Sequence, residues 1–335
     1  MKKKYYLGID VSKKKLDVCL MTEGKIIKEE IVMNHIGAIQ LFLEDLFKEL
    51  SIARKDLFIC CEHTGQYTYP LRWVCQEHSL DIWVENPAQI KHRGGVQRGK
   101  NDSMDAYRIA IYAIRFEDKA CLCGLPQDQL QALKSLIAEQ NLLVADKAKY
   151  KGQLSDQGEY MDKTIWASKL KRLRYLIVSL DKTIDEIQQQ IDNIINNDDQ
   201  LYKQMQLLKS VDGIGDKTAL KMIVETDSFK RFTNARKFCC HAGVAPFSYS
   251  SGSSIRSKTK VSHRADKSIK TLLHMAALSV LQRKGELRDY YLRKVAEGKS
   301  KMTVINAIRA KLIFRMFAVI KNDKFYQPIY TNSFA

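Results

Sequence analysis

From Leu170 to Ile194 the apolar residues Leu170, Leu173, Ile177, Leu180, Ile184, Ile187, Ile191 and Ile194 recur at alternating steps of three and four. Lys169, Arg172, Asp185, Glu186 and the glutamines 188–190 fill positions between them. This is a heptad seam, and it commits the segment to a helix roughly 37 Å long. A helix with one apolar stripe owes its stability to whatever covers that stripe. A second helical stretch, about Gln127 to Lys149, could fold back on it as an antiparallel hairpin, or another copy of the chain could pair with it. Of the two, pairing with another copy is the expectation, with the intramolecular hairpin as the alternative. In either case a rod interrupts the 335 residues, which divide into an α/β domain over 1–120, a helical coiled-coil region over 125–198 and a C-terminal region over 199–335.

The first part reads as a meander. Strands are expected over Tyr5 to Asp10, Leu16 to Met21 and, after the Glu23-Gly24 turn, Ile26 to Val32. Ile39, Leu43, Leu46 and Leu50 then form one stripe of a helix. Leu57 to Cys61 is a short unbroken apolar run, the mark of a strand covered on both faces. A helix around Tyr69 to Glu77 and a strand Ile82 to Val84 follow; Asn86-Pro87 ends that strand, and a basic loop leads to a helix over about Ser103 to Phe116. Three meander strands followed by alternating helices and strands describe an α/β domain with a mixed sheet, in the order of an RNase-H-like fold.

The C-terminal region is expected to be mainly α. Leu207 to Ala219 reads as helix, Gly213-Ile214-Gly215 turn, helix, the helix-hairpin-helix arrangement that offers backbone N–H groups to a DNA phosphate. Such a turn also serves any αα-corner. The net charge of +17 is concentrated here: Ser251 to Arg315 holds sixteen Lys and Arg against four Asp and Glu. The balance points to an extended polyanion, with Lys100, Gly213, Gly215, Lys217, Arg256, Lys258, Lys260, Arg264, Lys267 and Lys270 as candidate nucleic-acid contacts. No apolar run reaches the roughly 18 to 20 residues of a membrane span, and the first strand is interrupted by an acid where a signal core would be apolar. A cytoplasmic, nucleoid-associated protein without a membrane partner is expected. The eight cysteines form no paired CxxC motifs and read as reduced thiols.

Four acids stand where phosphodiester chemistry would need them. Asp10 ends the first strand, Glu62 follows the Leu57 to Cys61 strand, and Asp102 and Asp105 share one face at the start of a helix. Strand ends and helix starts of an α/β domain converge on one rim, and Mg²⁺ or Mn²⁺ prefers such carboxylate oxygens. Singly, each acid also suits a cap or a turn. Ser250 to Ser254 is, by composition, an ordinary Ser/Gly loop.

Gly8-Ile9-Asp10-Val11-Ser12-Lys13, Glu62-His63-Thr64-Gly65 and Lys100-Asn101-Asp102-Ser103-Met104-Asp105-Ala106 resemble the DEDD signature of the insertion-sequence 110 family of transposases. The Gly213-Ile214-Gly215 turn, Ala242-Gly243-Val244-Ala245-Pro246 and Tyr249-Ser250-Ser251-Gly252-Ser253-Ser254 match the family's C-terminal half. The resemblance implies a RuvC-like domain whose Asp10, Glu62, Asp102 and Asp105 bind Mg²⁺, and a nucleophilic Ser251 that links covalently to DNA. It further implies donor and target DNA as substrates, a structured non-coding bridge RNA as guide, and a homodimer or tetramer with composite active sites. The chain departs from the family pattern at His63, Ala265 and Lys270, none of them a catalytic position. Two other functions suit the same residues. One is a metal-dependent junction-resolving endonuclease without a covalent intermediate, and the other is a non-catalytic nucleic-acid scaffold. The intact tetrad weighs against the scaffold, and a covalent adduct separates the recombinase from both.

Overall fold

The computed structural model describes residues 3–93, 102–122, 128–251, 255–261 and 265–328, with side chains except at 102, 103, 128, 156, 248–251 and 255–260. The chain forms two compact units, Met1–Pro126 and Gln127–Ala335.

The first unit is built on a five-stranded sheet of order β3-β2-β1-β4-β5. Strands β1 (Tyr5–Val11), β2 (Lys15–Thr22) and β3 (Lys25–Met33) form the expected antiparallel meander, and β4 (Leu57–Glu62) and β5 (Asp81–Glu85) run parallel to β1. This is the mixed RNase-H-like sheet. Alternate residues serve opposite faces. Leu7, Ile9, Ile59 and Cys61 pack with α1 (Ile36–Glu49) and α2 (Tyr69–Glu77). Tyr6, Phe58, Cys60 and Trp83 pack with α4 (Asp102–Phe116) on the other side. β4 is therefore covered on both faces, which explains its unbroken apolar run.

One segment differs from expectation. Asn86-Pro87 does not lead straight into a loop but starts a short helix, α3 (Pro87–Arg93). The Asn86 side chain accepts from the Ala88 N–H at 2.9 Å, and proline is pre-set for a first helical position.

In the second unit α5 (Asp128–Asp156) and α6 (Lys163–Asn196) form an antiparallel pair. Gln140 donates to Gln188 at 2.9 Å, and Lys147 pairs with Asp181, so residue numbers fall on one helix as they rise on the other. Leu173, Ile177, Ile187, Ile191 and Ile195 are buried, and Leu170, Leu180, Ile184 and Ile194 half-buried. The heptad seam thus packs within the chain against α5. Its inner end shares one core with the region after 198: Leu130, Leu133, Ile187 and Ile191 cluster with Leu208, Phe238 and Leu312.

That core is organised by α7 (Asp199–Lys209), α8 (Asp216–Thr226), α9 (Ala235–His241), α10 (Lys267–Gln282), α11 (Glu286–Ala296) and α12 (Lys301–Asn322). Between α9 and α10 stand two antiparallel strands, β6 (Pro246–Ser251) and β7 (Ile255–Val261); Ser250 and Ser251 of the Ser/Gly segment belong to β6, and its residues 252–254 lie outside the described residues. Cys19, Cys60, Cys61, Cys75 and Cys239 are buried as small apolar side chains. No helix among the described residues is long and apolar enough to cross a membrane.

Ile191 is 1% exposed and Val178, on the same helix, 67%. Ile191→Ala should lower unfolding free energy by about 2–5 kcal/mol, against less than about 0.5 kcal/mol for Val178→Ala. Urea unfolding of both variants checks this; equal effects would show that the α5–α6 seam is not what holds the pair.

Candidate active site

Asp10 is the penultimate residue of β1 and Glu62 the last of β4. Ile9 lies opposite Cys61 in the parallel register, so Asp10 and Glu62 are the next residues on neighbouring strands. Strand alternation turns both towards α4, as it does Tyr6, Phe58 and Cys60. Asp105 sits in the first turn of α4, and Asp102 is its first residue. The side chain of Asp102 lies outside the described residues.

Gly8 makes this convergence possible. A Cβ there would lie 2.3 Å from both the Ala106 carbonyl oxygen and the Ala110 amide nitrogen. α4 therefore rests directly on the β1 backbone, with the small Ala106 and Ala110 at the contact. The electrostatics record the result. Burial pushes the Glu62 carboxyl above its ordinary value, and the charges of Asp10 and Asp105 push it further. Arg108, one turn along α4, pairs with Asp105 at 2.6 Å.

Two more acids share the rim, and the sequence reading missed both. Asp17 lies directly opposite Asp10 on β2, is buried, and is held by Lys15 at 3.0 Å. Glu85 lies beside Glu62 on β5 and accepts from the Tyr112 hydroxyl at 3.0 Å, to which Arg93 donates at 3.3 Å. Cross-strand register was the available signal, because an acid opposite a candidate ligand on the same face belongs to the same site.

Hard oxygen donors from two strands and a helix, one of them pushed up by its neighbours' charge, form a set that a divalent cation would relieve. Beside them α3 and α4 enclose a cleft of about 240 Å³, lined by Arg93, Arg108 and Arg115 with Tyr107, Tyr112 and Phe116. Guanidinium groups and ring faces together are suited to phosphates and bases.

The serine belongs to the second unit. Ser251 ends β6 and pairs with Ile255 at the start of β7, while Arg256 stands opposite Ser250 and Lys260 opposite Phe247. Lys258 lies between them on β7. Lys217 is exposed in the first turn of α8; Lys267 is exposed and Lys270 half-buried at the start of α10. Lys100 and Arg264 lie outside the described residues.

The two glycines of the 213–215 turn have different surroundings. Gly213, at φ +81°, is packed on α10, where a Cβ would meet Val280 Cγ2 at 2.2 Å. Gly215 caps α8 with open space around it. Gly213 thus has a packing reason that the sequence reading did not give it. His63 accepts from the Gly65 N–H at 3.4 Å and so belongs to the turn after β4.

Two family models match the chain. A DEDD transposase model of the IS110 type covers residues 7–157, and the model described as the transposase IS116/IS110/IS902 family covers residues 205–292. The chain belongs to this family of insertion-sequence transposases. The first match contains all four DEDD acids and the second contains Ser251. The transposase is a DNA-recombining enzyme with an N-terminal DEDD transposase domain.

Among curated proteins it is 25% identical to the pilin gene-inverting protein of Moraxella lacunata, over 96% of this chain and 97% of that one. It is 23% identical to an uncharacterized 44.8 kDa protein of insertion element IS116 from Streptomyces clavuligerus, over 47% of this chain and 38% of that one. Among solved structures, Thermus thermophilus RuvC matches 36% of this chain and 99% of its own, at 15% identity and a TM-score of 0.28.

Gly8→Ala should separate α4 from β1 and displace Asp105 from Asp10 and Glu62. A displacement near 1 Å costs roughly 100-fold in rate, so strand transfer should fall at least that far while the protein still folds cooperatively. Wild-type activity would show that the close approach is not needed.

Glu62 yields a pH prediction. Its folded-state pKa is raised, so between the ordinary carboxylate range and that raised value the unfolded chain binds fewer protons, and stability falls as pH rises. In chelator at neutral pH, Glu62→Gln should therefore melt at a higher temperature than wild type, and the advantage should vanish below the carboxylate range. A lower melting temperature for the variant at neutral pH would refute the repulsion.

Proposed function

We propose that this transposase exchanges DNA strands through a covalent phosphoserine link at Ser251, guided by a structured non-coding RNA of its element and acting as a homodimer or tetramer. The observation that carries the reading is the pairing of two incomplete chemistries. One unit gathers Asp10, Glu62 and Asp105 into a carboxylate site, with Asp102 opening the same helix, and the other presents a serine at the end of a two-stranded hairpin.

In the first step the Ser251 Oγ–phosphorus bond forms as one phosphodiester P–O bond breaks. The serine proton leaves to solvent or a carboxylate, and the departing DNA oxygen takes a proton. Attack on the phosphoserine by a second strand's hydroxyl reverses these changes and restores the serine, so no bond energy is lost to water. Asp10, Glu62, Asp102 and Asp105 would hold the divalent cation, Mg²⁺ or Mn²⁺. When bound, it supplies charge neutralisation at the phosphate and a lowered barrier to deprotonating an oxygen nucleophile.

The remaining residues serve binding. Arg93, Arg108 and Arg115 contact nucleic acid beside the tetrad, and Arg256, Lys258, Lys260, Arg264, Lys267 and Lys270 do so around the serine. Gly215 and Lys217 offer the start of α8 to a phosphate in the helix-hairpin-helix manner, and Lys100 is a further candidate for a phosphate contact. Guide RNA accounts for sequence choice by base pairing, so these residues read backbone rather than bases. The seam on α6 is spent within the chain. A multimer would use other exposed apolar surface, such as Tyr175, Leu176 and Val178.

With donor and target DNA, its RNA and Mg²⁺, the wild-type protein should form a denaturation-resistant DNA adduct, and mass spectrometry should place the phosphate on Ser251. Ser251→Ala should lose the adduct and retain DNA binding and folding; Ser250→Ala and Ser253→Ala should keep it. If wild type cuts without an adduct and Ser251→Ala still cuts, the junction-resolving endonuclease reading replaces this one.

A further inference from the structure

A second group of ligating side chains lies in the Gln127–Ala335 unit, apart from the DEDD acids. Glu225 is in the last turn of α8, His241 is the last residue of α9, and Asp266 caps α10. Their donor atoms all lie within 4.8 Å of one another. Three separate elements are needed to bring them together.

The details favour a ligand in their midst. The Nε2 atom of His241 is buried and has no hydrogen-bond partner among the described residues. It faces Glu225 Oε2 at 4.0 Å, too far for a hydrogen bond. The other Glu225 oxygen, Oε1, is taken by Lys221 at 2.6 Å. Asp266 uses Oδ1 to accept from the Ser268 N–H at 2.7 Å, the Ile269 N–H at 3.1 Å and the Ser268 hydroxyl at 2.7 Å, which leaves Oδ2 for another partner. Phe232 and Phe238 flank the imidazole, with ring centroids at 5.2 and 5.7 Å. Burial first, and Arg231 second, hold His241 below its ordinary pKa, so the ring is in the neutral form that ligates metals.

We propose that Glu225, His241 and Asp266 bind a divalent transition-metal cation of the Zn²⁺ class, which ties α8 and the start of α10 to the end of α9. One imidazole nitrogen and two carboxylate oxygens suit a borderline cation better than a hard one, because Mg²⁺ takes oxygen donors almost exclusively. Ligand bonds of about 2.0–2.2 Å require the three donors to close by roughly 1 Å, within reach of side-chain adjustment. Three protein donors leave the fourth position to water. Lys221 and Arg231 oppose the cation, so the site binds more weakly than a closed four-ligand one.

Its place in the fold gives the ion a structural consequence. His241 precedes β6 by five residues and Asp266 follows β7 by five, and the Asp266 N–H donates to the His241 carbonyl at 3.0 Å. The cluster is the root of the β6–β7 hairpin, and a bound ion would fix that root to α8.

The test is Zn²⁺ affinity of the full-length protein by competition with a chromophoric chelator. Glu225→Gln and His241→Gln should each weaken binding by more than the roughly 10- to 100-fold that loss of an outer-shell partner costs. Asp10→Asn with Asp105→Asn should leave this site's binding intact, because it touches only the DEDD acids. Thermal melts in chelator should superpose for wild type, Glu225→Gln and His241→Gln, which separates ligand loss from misfolding. Anomalous scattering at the zinc edge from crystals of the wild-type protein provides a check without variants and should show a peak among the three side chains. Unchanged Zn²⁺ affinity in both ligand variants, or an anomalous peak at the DEDD acids alone, overturns the proposal.

Discussion

Like-charged carboxylates a few ångströms apart repel by about 1–4 kcal/mol per pair, depending on how much water screens them. The first unit holds Asp10, Glu62 and Asp105 together against that force by seating α4 on the sheet. Ile109, Tyr112 and Ala113 bury their apolar surface against Tyr6, Phe58, Cys60 and Trp83, and Ala106 and Ala110 do so against Cys19 and Met21. Each fully buried large side chain contributes about 1.5–3 kcal/mol, so the packing outweighs the repulsion. Arg108 on Asp105 and Lys15 on Asp17 remove part of what remains. The backbone of Gly8 is where the whole arrangement is pinned, because any side chain there would lift the helix and release the acids.

The second unit is built differently. Its core is helical, with α12 at the centre through Ile308, Leu312, Ile313 and Met316. Ser251 ends β6, which pairs with β7 and its Arg256, Lys258 and Lys260. Rigid support is given to the acids, where several donors must agree on one position.

Much of this was legible in the residues. The meander, α1, α2 and β4 are each carried by a clean period or an unbroken apolar run, and the structure begins and ends them within about two residues of the expected bounds. The acids were candidates because strand ends and helix starts are where such chemistry sits, and register together with the docking of α4 brings Asp10, Glu62 and Asp105 close to one another. Asp17 and Glu85 escaped because their membership depends on register, which periodicity within one strand does not reveal. α3 escaped because Asn86-Pro87 ends a strand and starts a helix with the same two residues. The partner of the heptad seam could not be read either, since an apolar stripe specifies that it must be covered and not by which chain. His241 and Asp266 are 25 residues apart and Glu225 lies before both. Only the folded chain makes neighbours of them.

The parallel pairing of β1 with β4 has a kinetic consequence. Tyr5 meets Leu57 across some fifty residues, and α4 must arrive later still to cover the pair. Closing such distances costs chain entropy before any contact repays it, so contacts of this kind form slowly. The α5–α6 hairpin, whose partners are neighbours in sequence, has no such delay. During synthesis the first strand leaves the ribosome well before α4 exists to be packed on it, and Asp10 and Glu62 wait as isolated, solvated charges. The carboxylate rim is complete only once α4 has docked, so a chain still short of that helix lacks it.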